Sequence, residues 1–171
     1  MVNLRPTRHL LRIIPESEKV QVPSDTALGD WYVKRLVVAR RPLLLLVSSR
    51  GLLPMLIPAR DVRGLPLRLA ELVGARLKRL GAASRLIAAE TGAMTPVVVA
   101  RATDRSTLGI MVDFGKSVPY HFRPDAWDDT TLPFVERRLA ETPCHAGRRS
   151  EDVVYPDKVA RELLAARWNA G

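Results

Sequence analysis

Three short apolar segments in the first third of the chain constrain its fold more than any other feature. Residues 33–39, 43–47 and 52–57 consist largely of Val, Leu and Ile, and the turn signals "RRP" and "SSRG" separate them. Connections this short join neighbouring antiparallel strands. The sequence therefore predicts an antiparallel meander, with Pro42 at a strand edge because proline cannot donate to a β ladder.

The segments that precede the meander are less regular. Residues 7–14, "TRHLLRII", are apolar with basic interruptions, and we predict the first strand there. After a polar loop, Ser24 or Asp25 offers a helix N-cap, which indicates a single helical turn over residues 26–32. The Gly-Asp-Trp-Tyr cluster in this turn is then a corner that leads into the hairpin.

Residues 65–80 carry the clearest helical pattern in the chain. Pro66 near the start and Gly81 just past the end are the boundaries expected of a helix. Apolar residues recur there in steps of three and four and predict one buried stripe. Its members are Leu65, Leu69, Leu72, Val73, Leu77 and Leu80.

The rest of the chain is predicted to be mainly helical. The expected elements are a helix over 82–90, a strand over 95–102, a helix over 105–118 capped by Asp104, a loop over 120–131, and helices over 131–141 and 156–168. Strands that come first and helices that come later are typical of α+β proteins. We therefore predict a single α+β domain over residues 1–171. Its sheet should be mainly antiparallel, from the N-terminal meander plus one later strand, with the helices packed on one face.

The formal charge of +9 is distributed unevenly along the chain. Residues 1–80 contain 15 Lys and Arg against 6 Asp and Glu, a net +9, whereas residues 81–171 contain 12 of each. Because a guanidinium group binds phosphate through two parallel donors, this excess predicts a face that contacts nucleic acid or an acidic protein. The residues expected there are Arg40, Arg41, Arg50, Arg68, Arg76, Lys78 and Arg79. The alternative is that a GC-rich coding sequence enriches arginine, which outnumbers lysine 22 to 5, without any functional demand.

The chain lacks the motifs of the common cofactor and metal sites. Its glycines fit neither G-x-G-x-x-G nor G-x-x-x-x-G-K-[ST]. The three histidines have no histidine partner at i+3 or i+4, and Cys144 is the single cysteine, so we expect neither a zinc site nor an internal disulfide. Since Cys144 and His145 are sequence neighbours, they do not have the arrangement of a catalytic dyad. We predict no cofactor and no metal.

Hydropathy and cysteine content favour a cytoplasmic protein. The longest apolar run, residues 43–47, has five members, whereas a membrane span needs about 20. The first residues lack the apolar core of a secretory signal, and one cysteine suits a reducing compartment. We expect no membrane association.

Aspartates supply the enzymatic alternative. Asp30, Asp104, Asp113, Asp128 and Asp129 could hold Mg²⁺ if the fold brought them together, as in metal-dependent nucleases. Four of them also have a local interpretation. Asp104 suits a helix N-cap, Asp113 a helix-surface charge or a partner of Arg105, and Asp128 and Asp129 a solvated loop. Asp30 and Asp113 are the weak catalytic candidates of this hypothesis.

Three stretches of the sequence together resemble a known family. They are "SDTALGDWY" at 24–32, "ATDRSTLGIMVDF" at 102–114, and "RLAETPCHAGRRSEDVVYPDKVARELL" at 138–164. The chain resembles an uncharacterised bacterial protein family, a domain of unknown function, with L-G-D-W-Y, R-S-x-L-G-x-M-x-D-F and L-x-E-T-P motifs. Some related proteins are linked with plasmid open reading frames of mobile elements. The family often has Asn where this chain has Val112, so any role of that Asn does not carry over.

The resemblance implies no reaction, but it selects residues. The matching positions are Gly29, Asp30, Trp31, Tyr32, Arg105, Ser106, Gly109, Asp113, Glu141, Thr142 and Pro143. One interpretation is architectural, with each Leu-Gly packing a helix start against the sheet and each acid pairing with an arginine. The other is that Asp30, Arg105 and Asp113 meet in one cleft.

The sequence as a whole favours a non-catalytic binding or regulatory module. Its basic first half would contact nucleic acid or an acidic protein. The alternatives are a divalent-metal-dependent nuclease and a protein-interaction component of a mobile-element or defence system.

Overall fold

The computed structural model describes residues 1–17, 21–123, 125–145 and 153–169, and it places helices on both faces of a five-stranded sheet. The strands of this sheet are β1 (Val2–Pro6), β2 (Trp31–Val38), β3 (Arg41–Ser48), β4 (Pro54–Pro58) and β5 (Val97–Val99). The helices are α1 (Leu65–Leu80), α2 (Ser84–Gly92), α3 (Arg105–Ser117), α4 (Thr131–Ala140) and α5 (Pro156–Trp168). Two short strands, β6 (Cys144–His145) and β7 (Val153–Val154), pair separately, and 3-10 turns lie at Leu10–Arg12, Val62–Gly64 and Val118–His121. No helix in the described ranges is both long enough and apolar enough to cross a membrane.

The sheet is mixed, in the order β4-β3-β2-β1-β5. The predicted meander is confirmed, since β2, β3 and β4 pair antiparallel in sequence order. The prediction of a mainly antiparallel sheet is wrong, because β1 pairs parallel with both β2 and β5. A long loop joins the end of β1 to the start of β2, so the two strands run in the same direction. The segment with α1 and α2 joins the end of β4 to the start of β5, which runs parallel to β1. Connections of this length produce parallel neighbours.

Two local predictions before the meander are also wrong. The first strand is Val2–Pro6, and the predicted strand over 7–14 is a turn in which Ile14 donates its N–H to the Leu10 carbonyl at 2.8 Å. Leu10 and Ile14 are both buried, and the N–H groups of Ile13 and Ile14 both bond to the Leu10 carbonyl, which is a local pattern that an extended strand cannot form. The predicted helical turn over 26–32 is absent, since its last two residues already belong to β2.

Apolar residues at successive strand positions explain why both faces of the sheet are covered. All five residues from Leu43 to Val47 are buried, and successive side chains of a strand point to opposite faces. Leu44 and Leu46 contact the core beneath α1, α2 and α5, whereas Leu45 and its odd-numbered neighbours contact the core beneath α3 and α4. The prediction of helices on one face is therefore wrong, and a run without alternation indicates a strand buried on both sides.

Helix α1 confirms the sequence pattern closely. Leu65, Leu69, Val73, Leu77 and Leu80 are buried, and Leu72 of the predicted stripe is partly buried. Gly81 ends the helix in the left-handed conformation, with φ of 87° and its N–H bonded to the last turn.

A buried carboxylate, Glu90 of α2, joins three parts of the fold. Its two oxygens accept the backbone N–H groups of Ala27 and Leu28 at 2.9 and 3.0 Å. The indole Nε1 of Trp168 on α5 donates to the same carboxylate at 2.7 Å. The loop before β2, helix α2 and helix α5 therefore share one set of charge-assisted hydrogen bonds.

Replacing Glu90 with Gln should lower the free energy of unfolding by about 2–4 kcal/mol, since the amide turns a donor toward groups that are themselves donors. Urea denaturation measures the change. The matched control is Glu71→Gln on the exposed face of α1, which should stay within about 0.5 kcal/mol of the wild type. Equal losses for both variants would contradict the structural role of Glu90.

Candidate functional site

Asp30 lies immediately before β2 and is surrounded by donors. Its carboxylate accepts hydrogen bonds from Arg5 Nε at 2.5 Å, Ser24 Oγ at 2.6 Å and Asn3 Nδ2 at 3.2 Å. Its own N–H donates to Ser49 Oγ at 2.8 Å. A carboxylate that three side chains already bind is typical of a structural connection, here between β1 and the segment that leads into β2.

Gly29 allows the backbone of this segment to lie close to Ser49. Its φ of 73° lies in the left-handed region, and a Cβ at this position would overlap Ser49 Oγ, the acceptor for Asp30 N–H. Trp31 follows with its side chain fully buried in the core. The prediction that this cluster is a corner leading into the hairpin is confirmed.

The first two family-like segments meet on the α3 side of the sheet. Tyr32 is buried, and its hydroxyl accepts the backbone N–H of Asp104 at 3.0 Å. Asp104 caps α3 as predicted, accepting the N–H groups of Ser106 and Thr107. Arg5, which binds Asp30, also donates to the Arg101 carbonyl just before this helix at 2.7 Å.

Asp113 lies in a different place. It is exposed on α3 and lines a small cavity of about 90 Å³ with Thr142, Pro143 and Cys144 of the third segment. Asp30 instead lines a cavity of about 360 Å³, and Arg105 is an exposed residue that lines neither. The described residues therefore do not bring Asp30, Arg105 and Asp113 into one cleft, and they contain no group of three or more His, Cys, Asp or Glu placed to bind a metal.

Cys144 is a poor nucleophile in this environment. The thiol is buried, and its Sγ lies 3.6 Å from the Thr142 carbonyl oxygen. Burial, and secondly the charge of Asp113, raises the pKa of Cys144 to about 11. A reactive cysteine requires the opposite shift.

The basic residues selected from the sequence fall into separate places. Arg40 and Arg41 are exposed at the turn between β2 and β3, while Arg50 lines the Asp30 cavity. Arg68 donates to the backbone carbonyls of Arg60 and Asp61 at 2.9 and 3.2 Å.

The remaining three lie along the second half of α1. Lys78 is exposed, but Arg76 is buried, with only 3% of its side chain accessible. The Arg76 Nε donates to the Pro54 carbonyl at 2.8 Å, and Arg79 Nε donates to Glu136 of α4 at 2.7 Å. The prediction that Arg76 belongs to an exposed contact face is therefore wrong, since its guanidinium group lies inside the protein.

A cluster of exposed arginines lies at one end of the sheet. Because β4 runs back along β3, residues after Pro58 return to the β2–β3 turn, and Ala59 N–H bonds to the Pro42 carbonyl at 3.1 Å. Exposed Arg60 and Arg63 follow in this loop. We name the cluster formed by Arg40, Arg41, Arg60 and Arg63 the arginine end.

The guanidinium group of Arg41 packs over an aromatic ring. It lies 4.1 Å above the ring centroid of Trp127, and this ring stacks on Phe122 with centroids 5.0 Å apart and an interplanar angle of 6°. Arg60 and Arg63 were not among the residues selected from the sequence. The antiparallel pairing of the meander could have predicted that these two residues lie near the β2–β3 turn. No sequence pattern predicted the contact of Arg41 with Trp127.

Comparison with known proteins yields one match. A family model described as "Domain of unknown function (DUF6933)" matches residues 3–159. No curated protein and no solved structure matches the chain. The resemblance to a domain of unknown function is thereby confirmed.

Replacing Asp30 with Asn should lower the free energy of unfolding by about 1–3 kcal/mol, because it leaves the largely buried Arg5 without its charged partner. The matched control is Asp113→Asn, which removes an exposed carboxylate and should change stability by less than about 0.5 kcal/mol. Thermal or urea denaturation measures both. An unchanged stability of the Asp30 variant would show that its hydrogen bonds are not structural.

Alkylation of Cys144 by iodoacetamide at pH 8 should be about 100-fold slower in the native protein than in the same protein unfolded in urea. The reason is that a thiol pKa raised from 9.0 to about 11 reduces the thiolate fraction by that factor. The rate should rise with pH up to about 11. Asp113→Asn removes the second cause of the shift and should accelerate the reaction, whereas fast native alkylation would contradict the buried thiol.

Proposed function

The chain belongs to the DUF6933 family, whose description assigns no activity, and we propose that it is a non-catalytic module that binds nucleic acid through the arginine end. The observation that carries this proposal is that the exposed arginines of the β2–β3 turn and those of the loop after β4 lie at the same end of the sheet. None of their guanidinium groups donates a hydrogen bond to another described residue. Each is therefore available to a phosphate.

The local charge supports a polyanion. The arginine end together with Arg68 supplies five positive charges, and Asp61 in the same loop supplies one negative charge, a net +4. The loop that carries Trp127 beside Arg41 adds Arg123 and three aspartates, which lowers the net charge of this region to +2. Asp61 is 69% exposed and lies 3.9 Å from Arg68 Nε, so it is paired with the arginine that also holds the loop. Charge of this density attracts phosphates in a salt-dependent manner, whatever the base sequence.

The geometry of the arginine end suits phosphate contacts. Ala39 and Arg40 both have positive φ, which is the conformation of a tight two-residue hairpin turn. Arg41 is held face-on by Trp127, so the donors at the edge of its guanidinium plane remain free. Because this contact fixes Arg41 before binding, that side chain loses less conformational entropy when it binds a phosphate.

Nearby aspartates limit the direction of the ligand. Asp125, Asp128 and Asp129 are exposed on either side of Trp127 and would repel phosphates. We therefore expect the nucleic acid backbone to follow Arg40, Arg60 and Arg63 rather than the loop that carries Trp127.

No observation favours the other candidate functions to the same degree. The nuclease hypothesis needs two carboxylates in one site, and Asp30 and Asp113 line different cavities. An acidic protein could use the same arginines, so it is an outcome of the experiment below. The link with mobile elements or defence stays a hypothesis that neighbouring genes would test.

Fluorescence anisotropy with short labelled single-stranded DNA, duplex DNA and RNA tests the proposal. Binding should weaken linearly on a log–log plot between about 50 and 200 mM salt, with a slope of about −0.9 for each phosphate contacted in duplex DNA. The triple variant Arg40→Asn, Arg60→Gln, Arg63→Gln should bind less tightly and flatten that slope by about 1 for each arginine removed. Asn is chosen at position 40 because it tolerates the left-handed backbone there.

The matched control removes the same charge elsewhere. Arg85→Gln, Arg105→Gln and Arg138→Gln change three exposed arginines outside the arginine end. Equal weakening by both triple variants, or no binding at low salt, would refute the proposed surface. Salt-sensitive binding of an acidic peptide without any binding of nucleic acid would instead identify a protein partner.

A further inference from the structure

A cavity between α1, α4 and α5 is lined by buried and exposed arginines. Its volume is about 480 Å³. We name it the arginine cavity after Arg76, Arg79, Arg137 and Arg161. It is separate from the arginine end, because Arg76 is 11 residues, or about 16 Å along the helix axis, from the start of α1 beside that end.

Arg76 has a donor that the protein leaves unused. The Nε bonds to the Pro54 carbonyl at 2.8 Å and lies 3.5 Å from Glu136, but the buried Nη2 has no hydrogen-bond partner among the described residues. Burial also lowers the pKa of Arg76, so the surroundings disfavour its charge. A buried donor without a partner is uncommon and costs free energy. The Nη2 atom is closed off in this structure, so an acceptor would recover that cost after the Arg76 side chain shifts toward the cavity that it lines.

The nearby carboxylates are already committed. Glu136 accepts Arg79 Nε on one oxygen and the N–H of Leu56 on the other, at 2.7 and 3.0 Å. Asp157 accepts the N–H of Lys158 and lies 3.8 Å from Arg161. With Glu141 included, four guanidinium groups face three carboxylates around the cavity, a net +1.

The cavity also offers an apolar wall. Phe134, Pro133 and Leu80 line it, and the Phe134 ring is 45% exposed. Its volume lies in the range of small-molecule sites and is much larger than an inorganic anion requires. A ligand that fills it needs an anionic group for the arginines and an apolar body for Phe134.

We propose that the arginine cavity binds a small phosphorylated organic molecule, with its phosphate at Arg76 and Arg161 and an apolar or aromatic moiety on Phe134. A phosphate suits this site because its several oxygens can accept donors that converge from two helices. Arg161 Nη2 donates to the Leu80 carbonyl at 3.0 Å and Arg79 Nε donates to Glu136, which holds both guanidinium groups at the cavity. Arg161 is 51% exposed and Arg79 36%, so their other N–H donors can reach a ligand at the mouth of the cavity. The site is independent of the proposed contact with nucleic acid.

Isothermal titration calorimetry with phenyl phosphate and with inorganic phosphate tests this proposal on the full chain. Phenyl phosphate should bind saturably and more tightly than inorganic phosphate. Arg161→Gln should weaken it about tenfold, the size expected for one charge-assisted hydrogen bond, and Phe134→Ala should remove the advantage of the phenyl group. These variants leave the buried pair of Arg76 and Glu136 intact, and urea denaturation of each variant checks that the loss of the Arg161–Leu80 hydrogen bond leaves the protein folded.

Two conservative controls match the charge changes. The controls are Arg138→Gln and Lys78→Gln. Arg138 is the neighbour of Arg137 on α4 and Lys78 the neighbour of Arg79 on α1, but neither residue lines the cavity. Both should bind phenyl phosphate like the wild type. Absence of saturable phenyl phosphate binding, or equal weakening of that binding by Arg161→Gln and Arg138→Gln, would overturn the proposal. Since the two sites are independent, Arg161→Gln should bind nucleic acid in the anisotropy experiment like the wild type.

Discussion

Two buried carboxylates satisfy backbone donors that the sheet and its loops leave unpaired, and the arrangement of the helices depends on them. Glu136 accepts the N–H of Leu56 on the edge strand β4, and Glu90 accepts two N–H groups in the loop before β2. A strand edge or loop that is buried without such acceptors would lose several hydrogen bonds. Because both acceptors are charged, each one also draws a second donor into the interior, Arg79 in one case and Trp168 in the other.

This requirement separates the arginines of the chain into two kinds. Arg76 and Arg79 lie where they do because Glu136 must be neutralised inside the protein, and the arginine cavity is a consequence of their position. The arginine end has no internal acceptor of this kind, since its guanidinium groups surround a turn that backbone geometry and Trp127 already hold. The guanidinium groups of the arginine end are therefore the ones whose donors are all available to a ligand.

The sequence predicted those parts of the fold that local patterns determine. Helix α1 has its boundaries at Pro66 and Gly81, and the meander follows from short turns between apolar segments. The direction of β1 was not predictable in this way, because its partners β2 and β5 are distant in the chain and its own five residues carry little signal. The candidate binding sites also depend on contacts between residues that are distant in the chain. A net charge indicates that arginines are numerous, but only tertiary contacts decide that Arg76 is buried while Arg41 is exposed.

The three family-like segments converge on helix α3 rather than on a reaction centre. Asp30 reaches its start through Arg5 and the Arg101 carbonyl, Tyr32 binds the cap residue Asp104, and the Thr142–Cys144 segment packs beside Asp113 further along the helix. These contacts fix α3 to the sheet. The arginine end is built from residues outside the three segments, whereas the arginine cavity takes Glu141, Asp157 and Arg161 from the third one. The contacts that hold α3 and the arginines of the arginine end are therefore separate sets of residues, while the third segment contributes both to the fold and to the cavity.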